Sequence, residues 1–274
     1  MNDMGLKAKI RNIASEKNIS AAAVLQNYLI SRFLFRMADS EYKDKFVIKG
    51  GMLISSIIGI DQRATMDLDT TLRYMQLEED TIREAIFRIC SIQSDDGIQF
   101  GFSDITPIRD DDEYGGYRVT FYAELGKIKA PMSMDISTGD VITPEAKPHE
   151  FFDMFNPEQK ISLLAYPIET VLAEKLETIL SRGVGNTRPR DFYDIYMLSS
   201  VRYETDTLRK AFVETSKHRG SYDKIQDFRI ILENIVNDPG MNQRWAGYQK
   251  QMPYAECISF NDTIDVIQQM LFAL

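Results

Sequence analysis

The chain has 274 residues, 44% hydrophobic and 27% charged, so it can bury a core without disulfides and is too apolar to be disordered throughout. Two cysteines, Cys90 and Cys257, and two distant histidines, His149 and His218, exclude a disulfide scaffold, a four-thiolate zinc site and a His-rich metal site. The net charge of −9 is uneven: residues 1–60 carry nine basic and five acidic side chains, residues 61–160 carry ten basic and 21 acidic. Carboxylates gathered in the middle can hold metal ions, while the mildly basic flanks can face a polyanion. No apolar run approaches 18 residues, and Met1 to Asn18 reads as a charged helix and not a signal peptide. A cytoplasmic protein with reduced thiols and no membrane contact is expected.

Leu6, Ile10 and Ile13 recur at helical spacing until Asn18. Ser20 is a good N-cap for a second helix with Val24, Leu25, Tyr28, Leu29 and Phe33 on its apolar face, running to about Met37. Polar Asp39 to Lys45 reads as a loop. Phe46-Val47-Ile48 is a short apolar run ending in Lys49-Gly50-Gly51, and a helical segment, Met52 to Ile58, follows. Strand, glycine turn and helix in that order aim backbone N–H groups at a phosphate. Arg63 to Leu72 alternates Met66, Leu68 and Thr70 against Asp67, Asp69 and Thr71, which predicts a strand. Glu78 to Ile92 has helical composition.

Residues 99–105, 117–125 and 130–136 alternate with period two, separated by turn residues, and predict an antiparallel meander. The acidic run Asp110 to Glu113 reads as a solvated hairpin tip. From Ile168 the pattern is helical: one helix ends at Gly183, the next opens at Pro189, and others lie near residues 206–216, 221–236 and 262–274. An α+β fold results, with a core in residues 1–165 and a helical region in residues 166–274.

Asp67 and Asp69, two apart on a strand, project from one face and repel each other unless a cation lies between them. Oxygen-only ligation of this kind suits Mg²⁺. Asp135 sits on a later strand whose Met132, Met134 and Ile136 point the other way. Further on, Lys175 interrupts the apolar face between Leu172 and Ile179, so its charge needs a carboxylate or a phosphate partner. Asp191 and Asp194 share a helix face, and Asp191 also lies in the first turn, where the helix dipole favours it. Arg188 and Arg190 are either phosphate contacts or surface charges. Trp245, Tyr248 and His218 read as packing or loop residues.

These motifs together resemble the nucleotidyltransferase superfamily with the polymerase-β-type fold, and within it the AbiEii/AbiGii-type toxin branch. FVIKGGMLISS…RATMDLDTTL is similar to that branch's opening motif, and AEKLETILSRG…RPRDFYDIYML to its second signature. The resemblance implies transfer of a nucleoside monophosphate from an NTP to an acceptor such as a transfer RNA, by the toxin of a toxin–antitoxin or phage-defence pair with a cognate antitoxin. It implies Mg²⁺ or Mn²⁺ held by Asp67, Asp69 and Asp135, with Asp135 alternatively accepting a proton. Lys49, Gly50, Gly51, Arg63 and Arg190 would bind the nucleotide, Lys175 would neutralise its phosphates, and Asp191 would order Lys175 or the nucleotide. Many members carry Gly-Ser where this chain has Gly50-Gly51-Met52, so backbone amides would replace the serine hydroxyl. A transferase acting on a small cationic acceptor such as an aminoglycoside, and a nucleotide-binding regulator without turnover, are the alternatives.

Overall fold

The computed structural model describes residues 2–108 and 115–274, so the acidic run 110–113 lies outside the described residues. The chain forms two compact units, Met1–Asp140 with Lys147–Ala165, and Val141–Ala146 with Tyr166–Leu274. No helix among the described residues is long and apolar enough to cross a membrane.

The first unit opens with α1 (Asp3–Glu16) and α2 (Ala21–Ala38). Asn18, with φ of 51°, breaks the path between them, and the Ser20 hydroxyl accepts the Ala23 N–H at 3.1 Å to start α2. Next come β1 (Phe46–Lys49), α3 (Gly50–Ile58), β2 (Leu68–Leu72) and α4 (Glu79–Ser91). Strands β3 (Gln99–Ile108), β4 (Gly116–Leu125) and β5 (Ile128–Ser137) form the expected antiparallel meander. Two further strands, β6 (Lys147–Phe152) and β7 (Lys160–Ala165), were not legible in the sequence. Only Phe151 of β6 is buried, and it is short and edge-lying, so it lacks the alternating pattern that marks a half-buried strand.

The seven strands form one mixed sheet in the order β3-β4-β5-β2-β1-β7-β6. Strands β2 and β5 pair in parallel, as do β1 and β7, while the remaining neighbours run antiparallel. Helix α2 packs on β5 and β7, and α4 on β3. Leu68, Met134 and Ile136 are completely buried on the helix-covered face, which leaves the acidic residues of β2 and β5 on the other.

A buried ion network ties α2 to the loop before β3. Arg36, 1% exposed, donates to both carboxylate oxygens of Asp96 at 2.9 and 2.7 Å and to the Ile98 carbonyl at 2.8 Å. Arg32 bridges Asp96 and Asp153, both at 2.7 Å.

The second unit is helical: α5 (Ile168–Arg182), α6 (Pro189–Leu198), α7 (Thr205–His218), α8 (Phe228–Asn237), α9 (Pro239–Gln251) and α10 (Phe260–Ala273). Gly183, with φ of 51°, caps α5. The single helix expected near 221–236 is a 3-10 turn, Tyr222–Ile225, followed by α8. Helix α9 was missed, although Asp238-Pro239 is a start signal: the Asp238 carboxylate accepts the Met241 N–H at 2.7 Å. Trp245 is buried and donates to the Ile258 carbonyl at 3.1 Å, so it packs as expected.

Burial works against the Asp96 charge, but the two arginines and the Ile98 N–H outweigh it and hold its pKa down at about 2. A lowered carboxylate pKa adds stability above the ordinary value, and that stability disappears as pH falls from about 4 towards 2. Asp96→Asn should cost about 3 kcal/mol, because it leaves Arg36 buried without its counter-charge. Urea unfolding at pH 7 measures this, and the gap to wild type should close as the pH falls through that window.

Candidate active site

The glycine turn and the acidic strands meet through backbone register. Lys49 on β1 pairs with Asp69 on β2, Asp69 with Asp135 on β5, and Asp135 with Arg118 on β4. These four residues form a row across neighbouring strands, each step about 4.8 Å. Asp67 lies one residue before β2 and not within it, as the alternation had suggested. The Ser133 hydroxyl donates to its Oδ1 at 2.8 Å, which holds Asp67 beside the same face.

Gly50 is required by close approach. Its φ is +63°, and a Cβ there would stand 2.0 Å from Asp69 Oδ2. The Asp69 carboxylate accepts the Gly51 backbone N–H, so the glycine turn anchors the acid. A Cβ on Gly51 would meet Thr65 Oγ1 at 2.4 Å and Arg63 Nη2 at 3.3 Å. Arg63 is buried against this turn and donates to the Ala64 carbonyl, and nearby Asp61 pairs with Lys17 at 3.0 Å. Asn27 of α2 donates to the Thr65 carbonyl at 2.7 Å and so fixes the loop that leads into β2.

Lys49 turns to a second acid. Its Nζ lies 2.5 Å from Asp140 and 2.7 Å from the Ser137 hydroxyl, and Thr71 also donates to Asp140. Lys49 and these hydroxyls hold the Asp140 carboxyl far below the usual range despite burial. Neither Asp140 nor Ser133 carried a signal in the sequence, because each acts through a partner on another strand.

Burial, with the neighbouring charges of Asp135 and Asp67, pushes the Asp69 pKa above its ordinary value, and Lys49 only partly offsets this. The face thus presents oxygen donors and an unmet demand for positive charge, which fits a hard divalent cation at Asp67 and Asp69. Asp135 differs, because Arg118 binds both its oxygens at 2.7 Å. Among the described residues, no group of three or more His, Cys, Asp or Glu side chains is gathered closely enough to hold a metal.

In the second unit, Lys175 of α5 lies 2.7 Å from Asp191 and 2.8 Å from Asp194, both on α6. Burial works against its charge, but the two carboxylates overcome this and raise its pKa. Asp191 Oδ2 is buried without a hydrogen-bond partner. Asp194 is fully buried and is a full member of the cluster, which its shared helix face with Asp191 could not by itself establish. Arg188 and Arg190 are exposed at the start of α6.

The fold is that of a nucleotidyltransferase. A Helicobacter pylori protein described as a candidate nucleotidyltransferase has a similar structure, at 18% identity and a TM-score of 0.50, covering 92% of this chain and 96% of that one. JHP933 from Helicobacter pylori matches at 18% identity and TM-score 0.47, covering 92% of each chain. An antigenic nucleotidyltransferase-like protein from Paracoccidioides brasiliensis matches at 14% identity and TM-score 0.42, covering 73% of this chain and 91% of that one. No curated protein matches the sequence. The profile of the family described as "Nucleotidyl transferase AbiEii toxin, Type IV TA system" matches residues 32–266, and the chain belongs to that family. It is therefore a nucleotidyltransferase of a toxin–antitoxin family, which implies an NTP substrate and an antitoxin partner.

Asp69→Asn should stabilise the protein in chelator by about 1 kcal/mol, since it removes a charge that burial and two acids oppose. A raised carboxylate pKa lowers stability progressively as pH climbs from the ordinary carboxylate value to the raised one, and by a constant amount above it. The advantage of the variant should therefore shrink as pH falls through the raised Asp69 pKa, and parallel thermal melts across pH 4–8 would detect this.

Lys175→Met should cost about 3–5 kcal/mol, because Asp191 and Asp194 would lose their shared counter-ion. Replacing both acids by Asn in the same chain should restore most of that loss. Urea titration of the single and triple variants measures it, and a loss below about 1 kcal/mol for Lys175→Met would contradict the buried-triad account.

Proposed function

We propose that the chain transfers a nucleoside monophosphate from an NTP to the end of a transfer RNA or another RNA, as the toxin partner of a cognate antitoxin. The observation that carries this reading is the register of Asp69 beside Asp135, with Asp67 on the same face and the glycine turn pressed against Asp69. Family membership supplies the reaction class.

In this reading Asp67 and Asp69 would hold Mg²⁺ or Mn²⁺, which would supply charge neutralisation at the phosphates. An acceptor hydroxyl attacks the α-phosphorus, its proton leaves, and pyrophosphate departs. Asp135 either joins the cation ligands or takes that proton. The Gly51 N–H at the N-terminus of α3 is taken by Asp69, so the glycine turn would act on the triphosphate by fixing that acid and through the dipole of α3. Arg63 stiffens this turn from behind. Lys49 is committed to Asp140, so its contribution is the field it exerts on Asp69 more than a direct phosphate bond. In the second unit, Asp191 and Asp194 keep Lys175 ionised, and Arg190 is an exposed cation at the start of α6. Positioning and charge stabilisation account for such a reaction without a histidine.

The test is nucleotide transfer from each labelled NTP to bulk transfer RNA, with aminoglycosides as competing acceptors. Asp67→Asn and Asp69→Asn should each lower turnover at least about 100-fold while the fold survives. Expression of the wild-type chain without an antitoxin should arrest growth, and Asp69→Asn at equal protein level should not. Label on an aminoglycoside and none on RNA would replace the RNA acceptor by a small cationic one.

A further inference from the structure

Arg118 carries no signal in the sequence, since it is one arginine in an alternating strand. In the structure it ends the charged row that runs Lys49, Asp69, Asp135, Arg118. Its Nε and Nη2 meet the two oxygens of Asp135, both at 2.7 Å. This fork leaves Asp135 with both oxygens occupied by a cation that belongs to the protein itself.

The pair is built to open. The Arg118 side chain is 51% exposed, so water can replace its bonds at little cost. The other cation of the row, Lys49, is 12% exposed and tied to Asp140 and Ser137. The Arg36–Asp96 pair, at 1% and 8% exposure, shows what a permanent structural pair looks like in the same unit. Arg118 also feels Asp67 and Asp69 in addition to Asp135. It is an accessible positive charge near all three acids.

We propose that Arg118 is a resident counter-ion, which holds Asp135 until a divalent cation enters beside Asp67 and Asp69, and that cation entry releases it. The inference rests on the reading of Asp67 and Asp69 as cation ligands. Two positive groups cannot share one carboxylate face without repulsion, so the dication and the guanidinium compete for Asp135. Before release, Arg118 screens the acids from one another and keeps Asp135 turned towards β4. After release, its planar fork stands at the solvent side of the site, where it matches two oxygens of a phosphate group. Arg118 is thus a positioning residue whose action runs through Asp135.

The test is Mn²⁺ binding to the full chain without nucleotide, followed by the electron paramagnetic resonance signal of free Mn²⁺. Arg118→Gln should bind Mn²⁺ about fivefold more tightly than wild type, the equivalent of about 1 kcal/mol. Arg118→Lys, which keeps the charge and loses the fork, should fall between them. In an Asp135→Asn background the same Arg118→Gln change should gain less than about twofold, since the competition is for that carboxylate. An equal gain in both backgrounds would overturn the proposal, because Arg118 would then act by its field alone. Unchanged affinity in Arg118→Gln, with binding lost in Asp67→Asn, would overturn it and leave the cation site standing. No binding by wild type or any variant would remove the cation reading and the counter-ion role together.

Discussion

The contact of Asp69 with the Gly50-Gly51 turn governs the first unit. A carboxylate accepts a backbone N–H at the head of α3, in a place where a Cβ on Gly50 would stand 2.0 Å from its oxygen. That approach requires a glycine with positive φ at the end of β1 and an acid at the second position of β2. Once both are present, the antiparallel pairing of β1 with β2 is held in one register. Parallel pairing with β5 then brings Asp135 alongside, and Ser133 holds Asp67. The arrangement is electrostatically unfavourable by itself. Three acids share a face, and the protein offsets them with Arg118 on one side and Lys49 on the other.

The second unit solves a related problem with the opposite charge balance. Lys175 is buried on the inner face of α5 and survives as an ammonium because α6 offers two carboxylates at i and i+3. The pair of acids exceeds what one lysine needs, and one oxygen of Asp191 is left buried and unbonded. A buried acceptor in that condition costs stability, so the cluster is not optimised as structure alone.

Much of this was legible in the sequence where local chemistry fixes the outcome. Ser20, Gly183 and Pro189 mark helix ends by backbone rules, and the alternation of 130–136 set Asp135 apart from its buried neighbours. The glycine turn and Asp67-Leu68-Asp69 stood out because few residue patterns place backbone amides and paired acids so near each other. Strands β6 and β7 escaped although they pair with each other across a short connection, because both are only six residues long and β6 buries a single side chain. Ser133, Asp140 and Arg118 escaped for the same reason: each is informative only after β5 is laid beside β2 or β4. Helix α9 escaped although its start signal was present, since its buried residues, Met241, Trp245 and Tyr248, are too few to make a strong stripe.

The order in which these strands are joined has a consequence for synthesis on the ribosome. Strand β2 is central to the sheet, yet its parallel partner β5 arrives about 66 residues later, and the parallel partner of β1 is β7, the last strand of the unit. Long-range pairing is slow because the intervening chain must be closed first. A nascent chain that has exposed Asp67 and Asp69 still lacks Ser133, Asp135 and Arg118 in register, so the acid face exists only once the meander has emerged. In a member of a toxin family, this topology keeps incomplete translation products from carrying the assembled acid face.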